Sequence, residues 1–159
     1  MTSHDIRLAV SPARRLFSAA SVAALAGLSI ALGLGTATMA PAGRAVLAGG
    51  GIGGLWLARA LWHAGGRALI FSPAAGLAEE GGRPVAPIEA IETVDRGVFA
   101  FKPSGGFVVT LRAPMPAAWA PGLWWRLGRR VGVGGAVTPA AARAMADMIA
   151  IELARRQAR

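Results

Sequence analysis

Catalysis by general acids, bases or nucleophiles needs such groups within hydrogen-bond reach of one another, and this chain supplies few of them. It has no cysteine and two histidines. Without a thiol there is no disulfide, iron–sulfur cluster or thiol nucleophile, and no cysteine-based zinc site. His4 lies in the opening residues and His63 at the end of an apolar run, so His63 reads as a side chain at a membrane boundary rather than a ligand. Glu79 and Glu80 precede Gly81-Gly82 and read as solvated charge beside a turn. Glu89, Glu92 and Asp95 form a loose acidic patch. Glu89 and Glu92 share a face only where the backbone is helical, which assigns no acid or base role. The expectation is a protein that is not an enzyme and holds no metal or cofactor.

One motif argues the other way. Within Ala45–Trp62, AVLAGGGIGGLWLARALW, the residues Gly49, Gly51 and Gly54 fit the G-x-G-x-x-G phosphate cradle. Arg44 to Pro73 resembles the first strand, glycine turn, helix and second strand of flavin-binding Rossmann enzymes, and that resemblance implies a flavin or nicotinamide dinucleotide. In that family the second strand ends on an acidic residue that holds the ribose. Ser72 stands there in this chain. The rival reading is a membrane helix, in which Gly49/Gly53 and Gly50/Gly54 are small-xxx-small pairs facing Gly27 and Ala31 of a preceding helix. The membrane reading is preferred.

A third set is aromatic and basic. Trp119, Trp124, Trp125, Arg126, Arg129 and Arg130 cluster after a proline-rich stretch. Indole beside guanidinium suits the headgroup layer, where anionic lipid attracts each basic residue by about 1 kcal/mol. These six are the candidate membrane or partner face. The structural alternative has the tryptophans filling a small core and the arginines solvated. The formal net charge of +9 is almost wholly arginine, Lys102 being the single lysine. Because the charge is spread and no reading helix or stacking platform accompanies it, no nucleic-acid partner is expected.

The elements that must position these residues follow from hydropathy. Hydrophobic residues make up 54% and charged residues 16% of the 159 residues, and the mean hydropathy is +0.49, which points to lipid contact. Residues 1–16 form a polar lead-in with Arg7, Arg14 and Arg15. Phe17–Ala40 carries no charge and is long enough to cross ~30 Å of hydrocarbon. A cleaved signal peptide is the rival, since Arg14-Arg15-Leu16-Phe17 resembles a twin-arginine export signal and Ala40-Pro41-Ala42 a cleavage site. Pro41–Arg44 reads as a turn, so the spans are predicted at 17–40 and 45–62 within a hairpin of 17–64. Trp56 and Trp62 are interfacial, and Arg59 snorkels to the headgroups. The arginine bias predicts an inner-membrane protein with both termini cytoplasmic.

Past Gly65-Gly66 the pattern turns to short β-like runs. Ala68–Phe71 and Gly76–Ala78 are predicted strands, and Pro84–Val94 is ambiguous between strand and helical turn. Val98–Arg112 reads as a hairpin, with Phe99 and Phe101 alternating before the Lys102–Gly106 turn and Phe107, Val109 and Leu111 after it. Three prolines argue against ordinary strand over Ala113–Gly122, and Val131 and Val133 read as a last strand. Thr138-Pro139 starts a helix at 139–156 with Ala142, Met145, Ile149 and Leu153 on its apolar face and Glu152–Arg156 as an i,i+4 pair.

The predicted fold is therefore α+β: a transmembrane helical hairpin, then a small antiparallel sheet in a domain at 67–159, closed by an amphipathic C-terminal helix. This order resembles the bacterial pleckstrin-homology-like membrane proteins. Val94-Asp95-Arg96-Gly97, Phe99–Ser104 and Trp119–Gly135 resemble an uncharacterised alphaproteobacterial group of two-helix membrane proteins. The resemblance implies a membrane-tethered binding or scaffolding domain, with the lipid bilayer, its anionic headgroups or a membrane protein as partner.

Overall fold

Ile6 and Leu8 alternate with Arg7 and Ala9 in the opening residues, and this short run is a strand, β1 (Ile6–Ala9). The computed structural model describes residues 5–95 and 105–158. After β1 come the helices α1 (Pro12–Gly35) and α2 (Pro41–Ala64), then β2 (Ala68–Ser72), β3 (Gly76–Glu79) and β4 (Pro84–Pro87). A 3-10 turn at Ile88–Ala90 leads to β5 (Ile91–Asp95), β6 (Phe107–Ala120), β7 (Trp124–Val133) and α3 (Pro139–Gln157). The class is α+β, as predicted, with two antiparallel sheets ordered β1-β2-β3-β4 and β5-β6-β7. The predicted lead-in at 1–16 needs correction. Leu8 is fully buried, β1 pairs with β2 from Ile6↔Phe71 to Ala9↔Ala68, and residues 12–16 already belong to α1.

Both long helices begin earlier than the hydropathy alone indicates. Ser11 caps α1, its hydroxyl accepting from the Arg14 amide at 3.4 Å. Pro12 and Pro41 occupy first-turn positions, where a missing N–H costs nothing. Pro41 thus starts α2 instead of lying in the turn, and the helices run over 12–35 and 41–64 rather than 17–40 and 45–62. Each helix has 24 residues, about 36 Å at ~1.5 Å per residue, and each is long and apolar enough to cross a membrane.

The two helices meet along small residues. Ala19, Ala26 and Gly33 are the buried residues of α1, and Gly51, Ala58 and Ala64 those of α2. The spacing of seven along α1 is that of a coiled-coil seam. A Cβ at Gly51 would lie 2.5 Å from Ile30 Cγ1 and 2.7 Å from the Ala26 carbonyl oxygen. One at Gly54 would lie 2.8 Å from Ala26 Cβ, and one at Gly33 would lie 2.9 Å from the Arg44 carbonyl oxygen. Of the predicted packing glycines only Gly54 therefore faces the partner helix. Gly49, Gly50 and Gly53 are exposed with open space beyond them, and Gly27 likewise faces away. The seam follows 51, 54 and 58, so Gly49, Gly50 and Gly53 rotate off it.

Each helix is also capped by the other. The last carbonyls of a helix have no intrahelical donor. Arg44 of α2 supplies one to α1, its Nε donating to Gly33 O at 3.0 Å and its Nη2 to Leu34 O at 3.4 Å. At the opposite end Arg15 of α1 donates from Nε to Trp62 O of α2 at 2.8 Å, with its guanidinium 4.0 Å from the centroid of the Trp62 ring.

The dinucleotide alternative does not survive this geometry. Gly49, Gly51 and Gly54 lie inside one continuous helix that begins at Pro41, so helix and not a strand leads into them, and Ser72 ends a strand whose neighbours are both antiparallel. A Rossmann cradle needs a parallel strand running into the glycine turn.

In the remainder, Ala68–Phe71 and Gly76–Ala78 are strands as predicted, and the ambiguous Pro84–Val94 divides into β4, the 3-10 turn and β5. The predicted hairpin is altered: the partners of Phe107–Leu111 are β5, through Asp95↔Val108 and Ile91↔Leu111, and β7. Its first half, Val98–Ser104, lies outside the described residues. The proline stretch is a correction too, because β6 runs through it. Pro114 and Pro116 fall where the β6–β7 register shifts, between Thr110 and Met115 and between Met115 and Ala118, positions that need no ladder donor. The core joins Leu8, Leu69, Phe71, Leu77, Ile91, Phe107, Leu111, Leu123 and Trp124 with α3. Ala142, Met145, Ile149 and Leu153 are all buried, as their spacing predicts, with Ala146 beside them.

Candidate interaction surface around Trp124

Strand alternation divides the predicted six-residue face. On β7, Trp124 and Arg126 point inward while Leu127 points out. Trp124 is 1% exposed, and its indole N–H donates to Glu79 Oε1 at 2.8 Å. Glu79 is itself buried, at 4% exposure, and its other oxygen accepts from Arg67 Nη1 at 3.1 Å. The expectation of a solvated Glu79 is thus corrected: a buried indole N–H needs an acceptor, and this carboxylate provides it.

Arg126 is held from three sides. It is 8% exposed, Nε donates to Pro116 O at 2.8 Å, and Nη1 donates to Val85 O at 2.7 Å. Met115 Sδ lies 3.9 Å from the same Nη1. These contacts span the irregular stretch of β6 and reach β4, so the guanidinium ties the two sheets together. Its pKa is lowered, first by burial and then by the charge of Arg83. Arg83 and Arg126 lie 5.6 and 5.9 Å from the centroid of the Trp124 ring, close enough for cation–π attraction.

The other four residues are more open. Trp119 is 52% exposed and sits opposite the half-buried Trp125 in the β6–β7 register. Gly128 of β7 has φ +57°, and the Trp125 ring covers Gly132. Arg129 donates to Leu111 O at 2.8 Å and pairs with Glu92 at 2.6 Å. Arg130 is exposed, opposite Thr110. The six residues do not form one face: Trp124 and Arg126 are structural, Trp125 lies over Gly132, Arg129 is paired, and Trp119 and Arg130 remain outward.

The β6–β7 turn meets the end of the helical hairpin. A Cβ at Gly122 would lie 3.5 Å from Leu61 Cδ2, the Ala136 amide donates to Gly122 O at 2.9 Å, and Arg14 Nη1 donates to Val137 O at 3.0 Å. Arg67, three residues beyond α2, anchors the Trp124 cluster at this same end. No family model, curated protein or solved structure matches this chain.

Glu89 and Glu92 of the acidic patch have separate partners. Glu92 pairs with Arg129, and Glu89 lies 3.8 Å from Arg156, which also bonds Glu152 at 3.0 Å. The stretch is helical only over Ile88–Ala90, so Glu89 and Glu92 do not converge. Among the described residues no three potential metal ligands cluster. A cleft of about 420 Å³ opens between β1 and α3, lined by Asp5, Ile6, Pro73, Met148, Ile151, Glu152 and Arg155. Sequence reasoning missed Arg67, Glu79 and Arg83. The usable signal was the Trp124-x-Arg126 alternation, which reads as an inward-facing pair once 124–133 is taken as strand.

Proposed function

We propose that this chain is an integral protein of the bacterial cytoplasmic membrane. On this reading α1 and α2 cross the bilayer as an antiparallel hairpin. The strands and α3 form a pleckstrin-homology-like domain on the cytoplasmic side that binds or scaffolds and does not catalyse.

The observation that carries this reading is how little of the two helices the chain itself covers. Phe17, Leu25, Leu28, Leu34, Val46, Ile52 and Trp56 all face outward, Phe17 at 75% exposure. The core helix of a water-soluble domain would bury such a set, whereas lipid covers it at no cost. Sheets of four and three antiparallel strands closed by a C-terminal helix support the pleckstrin-homology-like class that the sequence resembles. The β1–β2 pairing supports both flanks of the hairpin lying on one side. Arg7, Arg14, Arg15, Arg59 and Arg67 gather toward that end and Arg44 alone at the other, which favours a cytoplasmic domain. An uncleaved α1 is likewise favoured, because cleavage near Ala40 would strip β1 from β2 and uncover the Gly51–Gly54 seam.

Alkaline carbonate extraction tests the reading. The full chain is expected to stay with the membrane pellet. Release into the supernatant, or a soluble yellow protein carrying flavin, would overturn it.

A further inference from the structure

Arg126 presents an unusual edge. Two of its nitrogens are fixed on backbone carbonyls, and its Nη2 has no protein acceptor among the described residues. Since no buried side-chain nitrogen lacks a partner, that Nη2 reaches the surface. Arg83 stands on the same Trp124 ring and is exposed. Neither guanidinium has a carboxylate within 4.0 Å among the described residues, while the nearby Glu79 is already engaged by Arg67 and Trp124. Other arginines of the domain, Arg129 and Arg156, do have carboxylate partners.

We propose that Arg83 and the outward Nη2 edge of Arg126 form a binding site for a phosphate oxyanion, carried by a lipid headgroup or by a soluble phosphorylated ligand. Arg126 is pre-organised: its rotamer is set by Pro116 and Val85, so little entropy remains to be lost when an anion binds. Guanidinium N–H groups match phosphate oxygens in geometry and charge. Two like charges beside one ring repel each other, and an anion between them turns that repulsion into attraction. The lipid source rests on the membrane reading above and is geometrically apt, because Arg67 and the β6–β7 turn bring this cluster to the end of the domain where α2 finishes.

The test uses the full chain in mild non-ionic detergent, with thermal unfolding followed at matched ionic strength. The additions are inorganic phosphate, short-chain phosphatidylglycerol, short-chain phosphatidylcholine and chloride. A midpoint raised by phosphatidylglycerol alone identifies the lipid source, and one raised by inorganic phosphate identifies a soluble ligand. Arg83→Gln is expected to weaken the effective anion by about tenfold, the loss of one charge-assisted contact, with each variant's response read against its own ligand-free midpoint. Arg143→Gln, an exposed change on α3, is expected to behave as wild type. No midpoint shift with inorganic phosphate or phosphatidylglycerol, a shift matched by chloride or phosphatidylcholine, or an Arg83→Gln response equal to wild type overturns the site. Carbonate extraction of the membranes before detergent is added keeps the two ideas separate: a chain that washes off the membrane but still responds to phosphate retains the site and loses only the membrane reading.

Discussion

Glu79 and Trp124 are 45 positions apart in the chain, yet they share a buried side-chain hydrogen bond of 2.8 Å. Nothing local announces it. Glu79 precedes a Glu-Gly-Gly turn, and solvation is the natural reading of a carboxylate there. Only the closure of β7 against β3 and β4 brings the indole to it. The same long-range closure buries Arg126, which among Trp125, Leu127 and Arg129 reads as part of a surface patch until 124–133 is taken as strand. Glu79→Ala should cost about 1–3 kcal/mol, because the indole N–H and Arg67 both lose their acceptor. Chemical denaturation followed by tryptophan fluorescence checks this, and wild-type stability would show the bond to be dispensable.

For the elements, the two long helices were legible from charge-free length, and the apolar face of α3 from its spacing. What was not legible was rotation. Glycine occurs at 49, 50, 51, 53 and 54, so composition alone cannot say which of them faces α1, whereas the backbone contacts of Gly51 with Ala26 and Ile30 do. Gly51→Val should destabilise the hairpin by about 1–3 kcal/mol through overpacking, while Gly53→Val, with open space beyond it, should stay within about 0.5 kcal/mol of wild type. Equal effects at the two positions in a denaturation series would mean that the seam is assigned to the wrong face. The arginine caps give a second prediction at this scale. Arg15→Ala removes both the donor to Trp62 O and the stacked guanidinium, so amide exchange in the last turn of α2 should quicken while α1 stays protected. Unaltered exchange at Gly65 and Gly66 would count against the cap. Strand β6 was misread because three prolines look like a broken ladder. The irregular register of β6 against β7, bridged by the side chains of Arg126 and Arg129, accommodates two of them.

For the whole molecule, β1 was invisible in the sequence: four residues before a long apolar run look like a lead-in, and their partner lies on the far side of two helices. Yet that pairing makes the strongest statement about topology. Reporter fusions after Arg159 and within the N-terminal residues should score on the same side, and a fusion at Pro41 on the other. Any other pattern excludes a two-span hairpin. Deleting residues 5–10 should open the edge of β2 and raise hydrogen exchange through Leu69 and Phe71, although the rest of the domain is intact in sequence.

The position of the helical hairpin inside a β1–β2 connection also sets an order of events during synthesis. The first strand leaves the ribosome long before its neighbour exists and stays single until both helices are made. If the helices cross a bilayer as proposed, a chain whose second rod fails to come back strands the two halves of one ladder in different compartments. On that reading the sheet becomes a record of correct insertion, because its edge can be completed only by a polypeptide that has made the round trip.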